Sequence, residues 1–591
     1  MKKTLALILA VALVLVLFAA CGDNKPTATE PPATAAPEKT PTPTSAPGET
    51  TAPAEPTPGE PVSNLPFAVD EDGVAAEPYN YELPLTTSDD VLTYWLTNYS
   101  MQYLPTDRGY GETDLPMEAK NRTGVNVEYI VLPPTARAEN FAVLLNSDDL
   151  CDIMSNASMY YPGSPLQAIE DEYLVNIYDY KDFMPNYLYE VKNSGVDAAT
   201  YEAVFFAEDI VPYAYCLTKN APQIEMGYCI RQDWLDKLDM KADEIVTWDD
   251  LENALGLIKS NIDTCEFPMW LSGTLEATGN WQFNSFGNLS QIVTISLPPV
   301  FLKDGSVVLG CTTDGDRQLV TKLNSFMNAG LINPDWSSYI YAALFSNRTY
   351  NNEVAYQTMS AAGIVEANKL TADPNCDWAP IQKPLVTADQ VMHVGSIRTR
   401  IGAGNVAFAV KNTNLELAMK WMDYRYSPEG WELYAYGPEG KITEIGEDGK
   451  RRNTEWALNN PDGIPLSGLV GVYTIGALVE AGISASDVQL LHEGGAKPLA
   501  AVASWTTWMN EHYDAADAYP LGARLNSEQQ DALRIYSSDI ITYIAENFSA
   551  FIDGSRNVNE WDDYVATLNT LGLQDILDLY QDAYDDYLAK Q

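Results

Sequence analysis

Between Val91 and Ser155 the chain switches repeatedly between two hydrophobic periods. "VLTYWLTNY" (Val91–Tyr99) has the pattern of an apolar strand, a helical stretch follows near Pro116–Thr123, and in "VNVEYIVL" the residues Val125, Val127, Tyr129 and Val131 alternate. "RAENFAVLLNS" then reads as a helix and "CDIMS" as a short buried strand. Strands that alternate with helices need crossover connections, and such crossovers build a parallel sheet covered by helices. The expected class is α/β. Ligands of these sheets gather beyond the carboxyl ends of the strands. That rule selects "NASMYY" and makes Asn156, Tyr160 and Tyr161 candidate ligand contacts; Trp95, in the first strand, is a further candidate.

The amino-terminal end has a different character. Lys2 and Lys3 precede an apolar run from Leu5 to Ala20 that closes on small residues, the layout of a secretory signal. An uncleaved anchor is the alternative, but the run is short for a span of about 20 residues and no basic cluster follows it. Phe18-Ala19-Ala20-Cys21 resembles the bacterial lipobox, with Phe18 in place of the usual leucine. The resemblance implies cleavage before Cys21 and a diacylglycerol on its thiol, and two or three acyl chains hold a domain stably on a membrane. From Lys25 to Pro61 there is no aromatic and no branched aliphatic residue, so this part cannot offset its ordering entropy and reads as a tether. The expected organisation is a signal peptide at 1–20, a lipidated Cys21 with a disordered tether at 21–78, and a folded part at 79–591.

The formal charge is −47, and loss of Lys2 and Lys3 with the signal makes it more negative still. Such a surface repels nucleic acid and anionic lipid, and it disfavours a polyanionic ligand unless basic residues are concentrated locally. After Cys21 there remain Cys151, Cys216, Cys229, Cys265, Cys311 and Cys376, widely spaced and without CxxC. Either disulfides or buried free thiols fit this count.

Further along, Thr247 with Asp250 forms a capping-box start for a helix whose Leu251, Leu255 and Ile258 share one face. Ser427 caps and Pro428 opens a helix carrying Trp431 and Tyr434, closed at Gly437-Pro438. At the carboxyl end Asn557 with Glu560 caps one helix, and a second after Gly572 carries Ile576, Leu579, Tyr580, Ala583, Tyr584 and Tyr587 as its apolar stripe.

Three of these segments, Tyr228–Leu255, Tyr426–Lys441 and Phe551–Tyr587, together with "YLVNIYDYKDFMPNYL" (Tyr173–Leu188), carry a resemblance. In their order and spacing the chain resembles an extracellular solute-binding protein of the family 1 type, the lipid-anchored receptors of bacterial ABC importers, in its large oligosaccharide-binding branch. The resemblance implies a two-lobed fold of the periplasmic-binding-protein type II, with hinge strands and a ligand cleft between the lobes. Lobe 1 is expected at about 88–215 plus a segment near 390–460, and lobe 2 at about 216–385 plus 461–591. It also implies a carbohydrate ligand, ABC permease partners with a separate ATPase, a monomer, and a place on the extracellular face of the cell membrane. Some large members carry a calcium loop after the corresponding helix; "SNIDTCEFPMW" lacks the D-x-[DN]-x-[DN]-G pattern, so no metal is expected there.

Catalytic constellations are missing. There are three histidines, with no HExxH, no GxSxG and no phosphate-binding P-loop motif. With 82 acidic residues, carboxylate pairs carry no signal for glycoside hydrolysis. No catalytic residue and no cofactor is assigned. The 13 Trp and 35 Tyr suit sugar rings, whose C–H faces stack on aromatic planes. Loop aromatics count most: "SGTLEATGNWQFNSFGN" presents Trp281 and Phe286, "DWAPIQKP" presents Trp378, and "ASWTTW" presents Trp505 unless it forms a helix face with Trp508. "HVGSIRTRIGAG" places Arg398 near an inter-lobe crossing. The ligand-binding candidates are Trp95, Asn156, Tyr160, Tyr161, Trp281 and Arg398. A peptide receptor, a surface adhesion protein and a glycoside hydrolase are the rival readings.

Overall fold

Two separate sheets organise the chain. In the computed structural model the described residues are 65–591, apart from 99, 272–283, 291–295, 339–346, 372, 476–479, 486–490 and 492–495; Cys21 and Trp281 lie outside them. The strands are β1 (Val91–Leu96), β2 (Asn126–Val131), β3 (Ile153–Ser155), β4 (Ala214–Thr218), β5 (Met226–Arg231), β6 (Val300–Lys303), β7 (Ser306–Leu309), β8 (Tyr356–Ser360), β9 (Trp378–Ile381), β10 (Ile401–Phe408), β11 (Thr443–Ile445), β12 (Arg451–Asn453) and β13 (Gly482–Ser484).

The first sheet has the order β13-β4-β10-β3-β1-β2. β1 pairs in parallel with β2 and β3, β10 runs antiparallel to β3 and β4, and β13 is parallel to β4. β1 shows why this sheet is covered on both sides. Leu92, Tyr94 and Leu96 enter one core with Trp421 and Met422, while Trp95 enters another with Phe141 and Ala157. Helices Asp114–Thr123 and Pro134–Ser147 make the crossovers that the alternating pattern requires. The first ends at Gly124, whose φ of 73° and contact with the Thr86 carbonyl exclude a side chain.

The second sheet is β8-β5-β9, fully antiparallel, beside a large helical core. Helix Trp248–Asn261 starts with the expected Thr247–Asp250 capping box and buries Leu251, Leu255 and Ile258. Helices Trp561–Thr570 and Leu573–Lys590 are divided at Gly572, where φ is 105°. No helix among the described residues is long and apolar enough to cross a membrane.

The chain passes between the two sheets three times: from β4 to β5, from β9 to β10, and from β13 to helix Ala496–His512, whose Trp505 donates its indole N–H to the Tyr228 carbonyl at 3.2 Å. The crossings are tied together. The Thr218 amide donates to the Arg400 carbonyl, the Arg400 Nε to the Thr218 carbonyl and the Lys219 amide to the Ser484 carbonyl. Arg400 is buried and paired with Glu190 at 2.7 Å.

Three boundaries differ from expectation. Residues 65–78 are packed on the first core instead of belonging to the tether: Val74 and Ala75 are buried, and Asp70 accepts from Lys192 at 2.9 Å and Asn193 at 3.0 Å. Helix Leu466–Tyr473 and β13 lie with the first sheet, whereas the resemblance implies a place for all of 461–591 in lobe 2. Ile483 is fully buried against β4, and the Asn98 amide donates to the Gly471 carbonyl. The helix expected from Pro428 starts at Trp431. Ser427–Gly430 forms a turn instead, in which Gly430 lies so close to the Tyr424 carbonyl that a Cβ would be 1.9 Å from it. None of the six cysteines from Cys151 onward forms a disulfide among the described residues, and all but Cys376 are buried.

Candidate functional site

At the carboxyl ends of β1 and β3 the backbone gives way to a polar network. Thr97 and Ser155 share a hydroxyl hydrogen bond of 2.7 Å, and the Asn156 amide donates to Thr97 Oγ1 at 2.9 Å. Asn156 adopts a left-handed conformation, φ 53°, which an Asn tolerates better than most residues, and this turns the chain into the short helix Ala157–Tyr160. Its backbone N–H donates to the Asn405 carbonyl at 2.7 Å, and the Asn405 N–H donates to Asn156 Oδ1 at 3.3 Å. The Asn405 amide group also donates to Ser158 Oγ at 2.7 Å, while its buried Oδ1 has no partner among the described residues. An amide oxygen left in that position is an acceptor open to a hydroxyl donor.

The aromatic candidates divide into exposed and supporting rings. Trp95 is 1% exposed, donates its indole N–H to Asn140 Oδ1 at 2.8 Å, and meets Tyr160 edge-on at 5.3 Å. It has no face for a ligand and acts as backing for Tyr160, which is half-buried beside the exposed Ser158 and Met159. Tyr161 is buried, donates to Asp171 at 3.3 Å, and has its phenol pushed up to about 12 by burial and by that carboxylate. Asn156, 3% exposed, shapes the turn from within. These four candidates come together on one sheet edge. Arg398 lies on the crossing from β9 to β10, where it donates to Asn510 Oδ1 at 2.8 Å; its buried Nη1 has no partner among the described residues. Trp378 and Trp505 are core residues, and Phe286 packs on Trp248 at 5.6 Å.

Residues not selected from the sequence complete the site. Tyr215 on β4 sits across from Asn405 in the ladder. Arg524, from the second half of the chain, donates to the carbonyls of Glu202 and Ala203 at 2.6 and 2.8 Å and stacks on Phe206 at 3.7 Å. Asn405 had a legible signal, a polar residue inside the strand "GNVAF". Arg524 had none, because it reaches helix Ala198–Val204 over a sequence separation of more than three hundred residues.

No family model matches the chain. The fructooligosaccharide ABC transporter substrate-binding protein FusA of Streptococcus pneumoniae serotype 4 is 23% identical over 396 residues, 61% of this chain and 66% of that relative. The alginate-binding protein AlgQ2 superposes with a TM-score of 0.63 at 19% identity, over 85% of this chain and 99% of that one. An HMO-binding ABC-transporter associated solute-binding protein from Bifidobacterium longum infantis gives 0.64 at 17% identity, over 84% and 99%. The fold is that of the two-lobed solute-binding proteins.

Proposed function

We propose that the chain is a lipid-anchored extracellular solute-binding protein of the family 1 type that captures an oligosaccharide between its lobes and presents it to an ABC permease powered by a separate ATPase. The observation that carries this reading is the polar sheet edge of Asn156, Ser158 and Asn405, with Tyr160 half-exposed above it and three hydrogen-bonded crossings beside it. Sugar recognition requires this pairing of an aromatic face with a few fixed polar groups. Tied crossings suit a hinge whose closed state a partner can read. The similarity to FusA and to the two-lobed sugar-binding structures supports the same reading.

Calorimetry against an oligosaccharide panel tests it. Tyr160→Ala is expected to weaken the bound sugar about tenfold, the scale of one lost stacking contact with its buried area. Binding of peptides and of no sugar would remove the proposal. Anchoring is tested separately: Cys21→Ala is expected to shed the protein into the medium or leave its signal uncleaved, and a processed, cell-bound variant would overturn the anchor.

A further inference from the structure

A second concave surface lies at the other end of the first sheet, before the strands whose carboxyl ends carry the polar edge. The Val175 amide donates to the carbonyl of Phe408, which pairs with Ile153 at the start of β3, and the Ile177 amide donates to the Val211 carbonyl just ahead of β4. Beyond these bonds, residues 178–183 and Asp209 line a groove of about 390 Å³, within the size range of binding sites. Asn176 holds its two walls together. Its Oδ1 accepts from the Tyr178 and Val211 amides at 3.3 and 2.9 Å, and its side-chain amide donates to the Asp209 carbonyl at 2.8 Å. The groove is thus preformed.

Two of its three rings already carry an ammonium group of the chain itself. Lys181 Nζ lies 4.5 Å from the centre of the Tyr178 ring, and Lys420 Nζ, paired with Glu416, lies 5.4 Å from that of Phe183. The third ring, Tyr180, is 39% exposed and 6.0 Å from Phe183, with no cation over it among the described residues. Asp179, Asp182 and Asp209 are exposed, and none makes an ion pair with a described residue. Three carboxylates against the single ammonium of Lys181 leave the groove negative, and the charge of −47 on the whole chain draws cations towards it. An aromatic face attracts a cation through its quadrupole, and carboxylates beside it add charge-assisted hydrogen bonds.

We propose that this groove docks a basic peptide segment of a partner protein, with a Lys or Arg side chain laid over Tyr180 and its N–H groups donating to the carboxylates around it. Carboxylates stand on both walls, Asp209 on one and Asp179 and Asp182 on the other, which suits a ligand with several cations along its length. The groove and the edge at Asn156 lie off opposite ends of β3, so both can be filled at once.

Fluorescence anisotropy of a labelled hexalysine peptide with the full chain tests this. Tyr180→Ala is expected to weaken binding about three- to fivefold, the scale of an exposed cation–π contact, while Tyr180→Phe keeps the ring face and stays within about twofold. Asp182→Asn is expected to weaken it as well. Asp562→Asn, which removes an exposed carboxylate from helix Trp561–Thr570, and Tyr160→Ala are expected to leave it unchanged. Unchanged binding in Tyr180→Ala, or equal losses in Asp182→Asn and Asp562→Asn, overturns the proposal, because attraction to the acidic chain at large then accounts for the binding. No binding of hexalysine overturns it too, and spermine or a neutral tetrasaccharide bound through Tyr180 in its place assigns the groove to that occupant instead.

Discussion

Glu480→Gln is expected to lower the unfolding free energy of the first lobe by about 3–5 kcal/mol, the cost of leaving a buried charge without its partner. Glu480 accepts from Arg425 Nη1 at 2.6 Å and from the Tyr94 hydroxyl at 3.3 Å, and neither Glu480 nor Arg425 is more than 5% exposed. The guanidinium carbon lies 4.6 Å from the ring centres of both Trp421 and Tyr434, so the aromatic faces enclose the cation. Those faces cannot replace a counter-charge. An isosteric amide keeps the volume and removes only the charge, which isolates the electrostatic cause. Denaturant unfolding followed by hydrogen exchange in β1 and β13 measures the loss, and a change below about 1 kcal/mol would refute a coupled pair of this kind. Replacing both partners together, as Arg425→Met with Glu480→Leu, is expected to recover most of the stability, because no uncompensated charge then remains.

The second large effect depends on pH. Asp423 is fully buried and accepts four hydrogen bonds, from the Tyr81 hydroxyl at 2.7 Å, the Asn186 backbone at 3.1 Å, the Asn186 side chain at 2.8 Å and the Tyr187 backbone at 2.7 Å. Burial raises its carboxyl to about 6, and the four donors pull it down without cancelling that rise. The folded value lies above the unfolded one, so the neutral acid favours folding. Its contribution is complete below about pH 4 and is lost as pH rises through 6, a difference of about 2–3 kcal/mol. Asp423→Asn removes the titration. Relative to the wild type, the variant is expected to gain about that much stability between pH 4 and pH 7, on top of a constant offset for its altered hydrogen bonds. Stability curves that stay parallel over that interval would show that Asp423 does not titrate there.

The fold and the candidate site are encoded in different ways. The crossovers from Val91 to Ser155, the capping box at Thr247, the break at Gly572 and the apolar stripe after it are all local, since strand period, caps and glycine breaks act over a few residues. The rule for strand ends also pointed to the edge at Asn156 to Tyr161, where the structure sets the polar network of Asn156, Ser158 and Asn405. It could not rank the rings on that edge. Trp95 and Tyr160 are equally aromatic in sequence, and only packing shows that the first is sealed beneath the second.

The sequence by itself determined the α/β class, the crossover helices and the acidic balance, because period and charge are properties of neighbouring residues and of composition. Tertiary structure alone decided which residues meet. It placed Ile483 beside Leu217 and joined Arg425 to Glu480 and Tyr94. It also brought Arg524 onto the carbonyls of Glu202 and Ala203. Contacts of that range are set by how whole elements pack and by which buried groups must be paired, and no local period records them.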